Sequence, residues 1–147
     1  MRWLVVGVLL LTGCAASPPD AANPMDVVVE SWESVDVAEL NAQIDEGIAV
    51  GAAWPTSPLA MTVELFGGDV DTRSLALTEQ LNRGEGADTT VVFMVRDGLL
   101  DDSVRGDWHR IVYRRLPDWT WRVHEVRRAF RCWRGHHLET FSSSWCL

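Results

Sequence analysis

The sequence predicts an α+β domain in which two N-terminal helices pack on a meandering antiparallel sheet of about four strands. Apolar residues at helical spacing come first along the chain, and segments rich in β-branched and aromatic residues come later. Turn-forming residues such as Pro117-Asp118 separate these later segments. Helices followed by a run of strands are typical of the α+β class.

The first predicted helix carries its apolar residues on one face, since they recur every three or four positions. They are Val37, Leu40, Ile44 and Ile48. Ser34 or Asp36 can accept hydrogen bonds from its first N–H groups, and Gly51 suits its end. A short second helix is predicted to start at Ser57-Pro58 and to end at Gly67-Gly68.

Four strands are predicted after these helices. They span residues 74–81, 89–96, 108–116 and 119–132. The last two form a hairpin around Pro117-Asp118, and residues 133–147 are expected to be irregular. This element order is similar to that of cystatin-like and NTF2-like domains, many of which have a cupped sheet. Because one fold hosts many functions, the similarity implies no activity.

The first residues of the chain resemble the signal of a bacterial lipoprotein precursor. Arg2 precedes an apolar run from Trp3 to Leu11, which is too short to cross a bilayer as a helix. The run ends in Leu11-Thr12-Gly13-Cys14, which resembles a lipobox: a branched apolar residue, two small residues and an acceptor cysteine. The resemblance implies a lipidated Cys14, cleavage before it, and a cell-envelope protein anchored in the membrane on the extracytoplasmic side. An ordinary secretory signal cut near Ala15-Ala16-Ser17 is the alternative.

Three segments follow from this interpretation. They are a signal peptide over residues 1–13, a lipidated tether over 14–26, and one α+β domain over 27–147. Three prolines among small residues disfavour regular structure in the tether. With Cys14 lipidated, Cys132 and Cys146 remain as an even pair in an oxidising compartment, and a disulfide between them is predicted. Such a lipoprotein would have membrane lipid as a partner through Cys14, in the outer membrane of a Gram-negative host or otherwise in the plasma membrane.

Charge is unevenly distributed along a chain whose formal net charge is −8. All 13 basic residues are arginine, and nine of them lie in residues 105–147 against four acidic residues. Residues 15–104 instead carry 17 acidic residues and three arginines. The two parts can neutralise each other within the fold, or the basic part can bind a partner. Export and the negative net charge disfavour nucleic acid as that partner.

The last predicted strand is the first candidate site, because it combines arginines with nearby tryptophans. Its candidate residues for an anionic ligand or an envelope protein are Arg122, Arg127, Arg128, Arg131 and Arg134. By alternation, one face of the strand is expected to carry Arg122, His124, Arg128 and Phe130, and the other Val123, Glu125, Arg127 and Arg131. Arginines that pair with the acidic part of the chain are the alternative.

Other groupings give weaker signals for chemistry. Cys132, His136, His137 and Cys146 do not match the usual spacing of zinc ligands, and a disulfide would consume both thiols. The Asp97–Ser103 segment lacks the ligand pattern of a calcium loop. Ser142, Ser143 and Ser144 do not form a nucleophile-elbow motif. We therefore expect no catalytic triad, metal or cofactor.

The later part of the chain also resembles a set of small secreted bacterial proteins of unassigned function. The residues that carry this resemblance are the segments 101–106, 121–123 and 131–135 together with Cys146. It implies no activity.

The leading hypothesis is a non-enzymatic lipoprotein that binds a ligand or a protein partner through the sheet face or the arginine-rich strand. An enzyme with a cupped-sheet pocket is one alternative, for which Asp107, His109 and His124 are the first residues to test. A structural role in the cell envelope is another.

Overall fold

The computed structural model describes residues 25–68, 71–82 and 87–147. The predicted signal peptide, Cys14 and nearly all of the tether lie outside the described residues, and they stay predictions. Residues 83–86, between the predicted strands over 74–81 and 89–96, also lie outside them.

Five antiparallel strands form one sheet in the order β1-β5-β4-β3-β2. The strands are β1 (Glu33–Ser34), β2 (Ser74–Leu81), β3 (Thr89–Asp97), β4 (Val104–Arg115) and β5 (Trp121–Cys132). The last four follow one another in space as in sequence, so the predicted meander and the α+β class are confirmed. β1 adds a fifth strand at the outer edge of β5.

Two helices lie between β1 and β2. They are α1 (Ala38–Ala49) and α2 (Pro58–Thr62), with a 3₁₀ turn at Trp54–Thr56 between them and a π-helical turn at Val63–Gly67 after them. The prediction that the helices come first and that the sheet has about four strands is therefore wrong. The strand that precedes the helices has only two residues, too few to show a period of two in the sequence.

The sequence signals at the helix ends are confirmed in part, since the N-cap residue of α1 is Val37 rather than Ser34 or Asp36, whereas Ser57 is the N-cap of α2. The Asp36 carboxylate accepts the Ala38 N–H at 3.0 Å, and the Ser57 hydroxyl accepts the Ala60 N–H at 3.4 Å. Gly51 has a φ of +70°, the left-handed conformation in which helices commonly end. Only Ile44 of the predicted α1 stripe is fully buried, whereas Ile48 is 40% exposed.

The helices pack on one face of the sheet, and we call this whole face the helix face. They cover about half of it. Ile44 of α1 and Met61 of α2 are completely buried there. They pack against apolar residues of β3, β4 and β5, namely Val92, Ile111, Tyr113, Trp121, Val123 and Val126. Burial raises the pKa of the Tyr113 phenol, whose oxygen lies 2.9 Å from the Thr62 hydroxyl.

The opposite face of the sheet has its own apolar cluster, covered by the two ends of the described domain. Phe93, Trp108 and Phe141 belong to this cluster, and Val27 and Val29 pack against it. Isolated bridges join Val29 to Phe141 and Phe130 to Ser142. The predicted disulfide between Cys132 and Cys146 is present, with Cα atoms 5.4 Å apart, and it holds the end of the chain against β5.

A β-bulge in β5 changes the predicted distribution of side chains. Val112 pairs with Glu125 but Tyr113 pairs with Val123, so His124 is left out of the pairing. Val123 therefore lies on the helix face together with Val126. The expectation that strict alternation runs through this strand is wrong, since it did not allow for the extra residue.

Candidate functional site

Polar residues replace apolar ones at one end of the helix face, beside the π-helical turn. At this end of the sheet, a cavity of about 500 Å³ lies between β4, β5 and the loop that joins β3 to β4. The residues that line it are Asp71, Leu99, Leu100, Asp101, Val104, Asp107 and Phe130. Leu100 is 76% exposed, so the cavity has a solvent-facing rim. Its volume is within the range usual for small-molecule sites.

Asp107 reaches the cavity from β4 and is held by Arg96 of β3. These residues are register partners in adjacent strands. Arg96 donates from Nε to Oδ1 of Asp107 at 2.9 Å and from Nη2 to Oδ2, which makes the pair bidentate. Its Nη1 also donates to the carbonyl of Phe66 at 2.8 Å, beside the end of the π-helical turn. Because both side chains are nearly buried, the pair fixes the carboxylate with defined geometry.

His109 lies on the same face of β4, two residues beyond Asp107. Its Nδ1 is 3.9 Å from Oδ1 of Asp107 and has no hydrogen-bond partner among the described residues. Its ring contacts Phe66, with centroids 5.4 Å apart. Burial lowers the pKa of His109 to about 4, against an opposing effect of the Asp107 carboxylate. The imidazole is therefore neutral at pH 7 and a weak base, suited to hydrogen bonding rather than to proton abstraction.

Phe130 forms the β5 side of the cavity, and Trp145 and Arg128 pack against Phe130. Phe130 lines the cavity and stacks on Trp145, with ring centroids 4.7 Å apart. The Arg128 guanidinium lies over Phe130 at 5.0 Å and donates to Glu33 of β1 from Nη2 at 2.7 Å. Because Cys146 is bonded to Cys132, the disulfide places Trp145 beside this wall.

The β3–β4 loop forms the rim of the cavity and is folded by its own aspartates. Oδ1 of Asp101 accepts the N–H groups of Ser103 and Val104, and these hydrogen bonds lower the pKa of Asp101. Asp97 forms ion pairs with Arg105 at 3.2 Å and with Arg131 at 2.8 Å. Burial alone would raise the pKa of Asp97, but the two arginines and the Gly98 N–H lower it overall. Gly98, with a φ of +71°, allows the tight turn after β3.

The arginines predicted as an anion site mostly form ion pairs within the chain. Arg122 pairs with Asp45, Arg127 with Glu125, Arg128 with Glu33, and Arg131 with Asp97. Three of these four carboxylates come from the acidic part of the chain, so the alternative in which the two parts neutralise each other has direct support. Arg134 lies exposed after β5. The anion site stays a prediction, and four of its five arginines already pair with carboxylates of the same chain.

Of the three residues named for an enzyme, the structure brings two together. Asp107 and His109 are adjacent on the helix face, whereas His124 is exposed at the β5 bulge. Sequence reasoning missed Arg96, although a signal was present. Val92, Met94 and Arg96 alternate along β3 and so point to the same face of the sheet. Because Val92 and Met94 are buried, alternation places the charged Arg96 on a buried face.

The weaker groupings are placed as follows. Cys132 and Cys146 are bonded to each other, and His137 lies 3.1 Å from Glu30. The Ser31 hydroxyl lies 2.9 Å from the hydroxyl of Ser142, one of the three serines near the end of the chain. Among the described residues, no group of three or more His, Cys, Asp or Glu side chains is arranged to hold a metal ion.

Comparison of this chain with protein-family models, with curated proteins and with solved structures finds no match. None of the helices formed by the described residues has the length and apolar character needed to cross a membrane.

Proposed function

We propose that this chain is a lipoprotein of the bacterial cell envelope that binds a small organic ligand in the cavity at the end of the helix face. The cavity of about 500 Å³ beside Asp107 is the observation that carries the binding role. The resemblance of Leu11-Thr12-Gly13-Cys14 to a lipobox supports the anchor and the extracytoplasmic location.

The lining of the cavity suggests the chemistry of its ligand. Leu99, Leu100, Val104 and Phe130 offer apolar surface, and every polar side chain that lines the cavity is an aspartate. Carboxylates accept hydrogen bonds and attract cations, whereas they repel anions. Arg96 neutralises Asp107, but Asp71 and Asp101 add negative charge to the lining, so the site favours an apolar molecule with a hydrogen-bond donor or a positive group. An anionic ligand fits the cavity poorly.

A pair of fluorescent probes tests this binding role. N-phenyl-1-naphthylamine is an apolar amine, and 1-anilinonaphthalene-8-sulfonate has a similar shape with an added sulfonate. The full chain, extracted in mild detergent, is expected to bind the first probe in a saturable way and the second more weakly.

The matched variants are Leu100→Trp and Val50→Trp. Leu100 is 76% exposed at the cavity rim, and Val50 is 75% exposed after α1, so neither substitution disturbs the core. The added indole at the rim is expected to weaken binding of the first probe at least tenfold, whereas Val50→Trp leaves it unchanged. Equal binding in both variants, or saturable binding in neither, would contradict the proposal and favour a structural role in the envelope.

Catalysis in the same cavity is a second candidate, favoured by the contact between Asp107 and His109. Its support is weaker, because Asp107 is already engaged by Arg96 and the pKa of His109 is about 4. Ligand binding without chemistry needs neither residue to change its protonation state.

A further inference from the structure

β2 forms one edge of the sheet and has few of the features that usually protect such an edge. It pairs with β3 in an unbroken register from Ser74 to Leu81, with no bulge. Within the described ranges 25–68, 71–82 and 87–147, no residue pairs with its outer side. Its sequence, Ser-Leu-Ala-Leu-Thr-Glu-Gln-Leu, contains no proline and one charged residue, Glu79. Long edges of this kind are templates for pairing with another strand.

The hydrogen bonds to β3 show which backbone groups of β2 point outward. The Asn82 N–H donates to the Thr89 carbonyl at 3.1 Å, so even-numbered residues of β2 bond to β3. The β3–β4 pairing has the complementary parity, since the Arg115 N–H donates to the Asp88 carbonyl at 2.7 Å. The N–H and C=O groups of the odd-numbered residues therefore point away from the sheet. These residues are Leu75, Leu77, Glu79 and Leu81.

The same odd-numbered residues have their side chains on the helix face. Leu77 packs against the core cluster beneath the helices. Leu75 and Leu81, near the two ends of the strand, are 47% and 61% exposed. The edge thus combines outward-pointing backbone groups with two exposed leucines on one face.

We propose that β2 pairs antiparallel with β2 of a second copy of this chain, about a two-fold axis that passes through Thr78. An axis perpendicular to the sheet keeps the helix faces of both copies on the same side, so odd-numbered residues can face only odd-numbered ones. With Thr78 on the axis, Leu75 of each copy faces Leu81 of the other, and Leu77 faces Glu79.

The register centred on Thr78 is more favourable than the registers shifted by one residue, which are centred on Leu77 or Glu79. Each facing odd-numbered pair exchanges two backbone hydrogen bonds, and both exposed leucines become covered. A register with Leu77 on the axis would leave Leu75 against Glu79. A register with Glu79 on the axis would place two like charges directly opposite each other, which is destabilising. The strand is therefore complementary to itself in one alignment.

Cysteine cross-linking tests the proposal in the full chain on bacterial membranes. Thr78 would face itself at a position without backbone hydrogen bonds, where Cα atoms are about 4.5 Å apart and a disulfide is geometrically allowed. Thr78→Cys is expected to give, after mild oxidation, a reducible product of twice the monomer mass. Ala76→Cys is the matched control on the same face, and it should remain monomeric because residue 76 faces residue 80 of the other copy.

Glu79→Pro, combined with Thr78→Cys, distinguishes cross-linking through strand pairing from cross-linking through random collisions between two copies. Proline removes an N–H that points outward and none that bonds to β3, so the sheet is retained while the dimer loses a hydrogen bond on each side. The cross-linked fraction is expected to fall severalfold. A product with a different protein, equal cross-linking of both single variants, or no product from Thr78→Cys would overturn the proposal.

Discussion

At the scale of single residues, the unusual feature is a charged and polar group on a face that is elsewhere apolar. Asp107, His109 and Arg96 lie on β3 and β4 beside the π-helical turn, whose Phe66 contacts His109 and accepts a hydrogen bond from Arg96. Burying such groups is costly unless each finds a partner, and Nδ1 of His109 has none among the described residues. A polar group retained at such a cost is typical of a functional site.

Titration of His109 should make stability depend on pH. Burial lowers the pKa of His109 from its ordinary value of 6.5 to about 4, so the unfolded chain binds the proton more readily than the folded one. Stability is complete above pH 6.5 and is lost as the pH falls towards 4, by about 2 kcal/mol at pH 5. Urea unfolding at pH 7 and at pH 5 measures this loss.

His109→Phe is the control for that titration, because it keeps a ring against Phe66 and removes the ionisable group. The variant should lose about 2 kcal/mol less than the unsubstituted chain between pH 7 and pH 5. Equal losses in the two proteins would show that His109 is not buried in a neutral form. The aspartates with lowered pKa values, such as Asp97, titrate in both proteins and at lower pH.

At the scale of elements, the strands were largely predictable and the ends of the domain were not. The predicted strands over 74–81 and 89–96 match β2 and β3 closely, because their turns and β-branched residues give strong local signals. β1 was missed, since two residues show no periodicity. The β5 bulge was missed because only the partner strand determines where the pairing skips a residue.

The candidate site was predictable only in part, for a similar reason. Asp107 and His109 were named from the sequence, but their partner Arg96 was not, and Leu99 and Phe130 were not predicted to line a cavity. The cavity forms beside the β3–β4 loop, three of whose residues line it. The hydrogen bond from the Trp133 indole to the Leu99 carbonyl ties this loop to the segment after β5. Such long-range placement leaves no local pattern in the sequence.

The disulfide is expected to stabilise the domain through its last element. Replacing both cysteines, Cys132→Ala with Cys146→Ala, should lower the free energy of unfolding by roughly 3 kcal/mol, the value for a closed loop of about 15 residues. The loss should also release Trp145 from Phe130, which changes its fluorescence. Urea unfolding measures the first effect, and the reduced unsubstituted chain should behave like the variant. A variant as stable as the oxidised chain would refute this role.

At the scale of the whole molecule, the uneven charge of the sequence is resolved by the fold. Glu33 pairs with Arg128, Asp45 with Arg122, and Asp97 with Arg131, each joining the acidic part of the chain to the basic part. Several of these side chains are partly buried, so salt weakens their ion pairs less than it weakens fully exposed ion pairs. The arginines of β5 thus contribute to joining the early and late parts of the domain.

The proposed envelope location connects these observations. An oxidising compartment favours the Cys132–Cys146 bond, and a lipid on Cys14 would hold the domain at a membrane through the proline-rich tether. Two acyl chains are sufficient for stable anchoring, whereas one gives only marginal binding. The domain would then present its cavity in the space next to that membrane.

An intact-mass spectrum of the full chain, expressed in bacteria and extracted from the membrane fraction, tests the central claim most directly. We predict the mass of residues 14–147 plus a diacylglyceryl group and any further acyl chain, with a gain of two hydrogen atoms on reduction of the disulfide. Cys14→Ser should remove the lipid mass. An unsubstituted chain with no lipid mass, whether full-length or cut near Ala15-Ala16-Ser17, would contradict the anchored lipoprotein and leave an ordinary exported or uncleaved protein in its place.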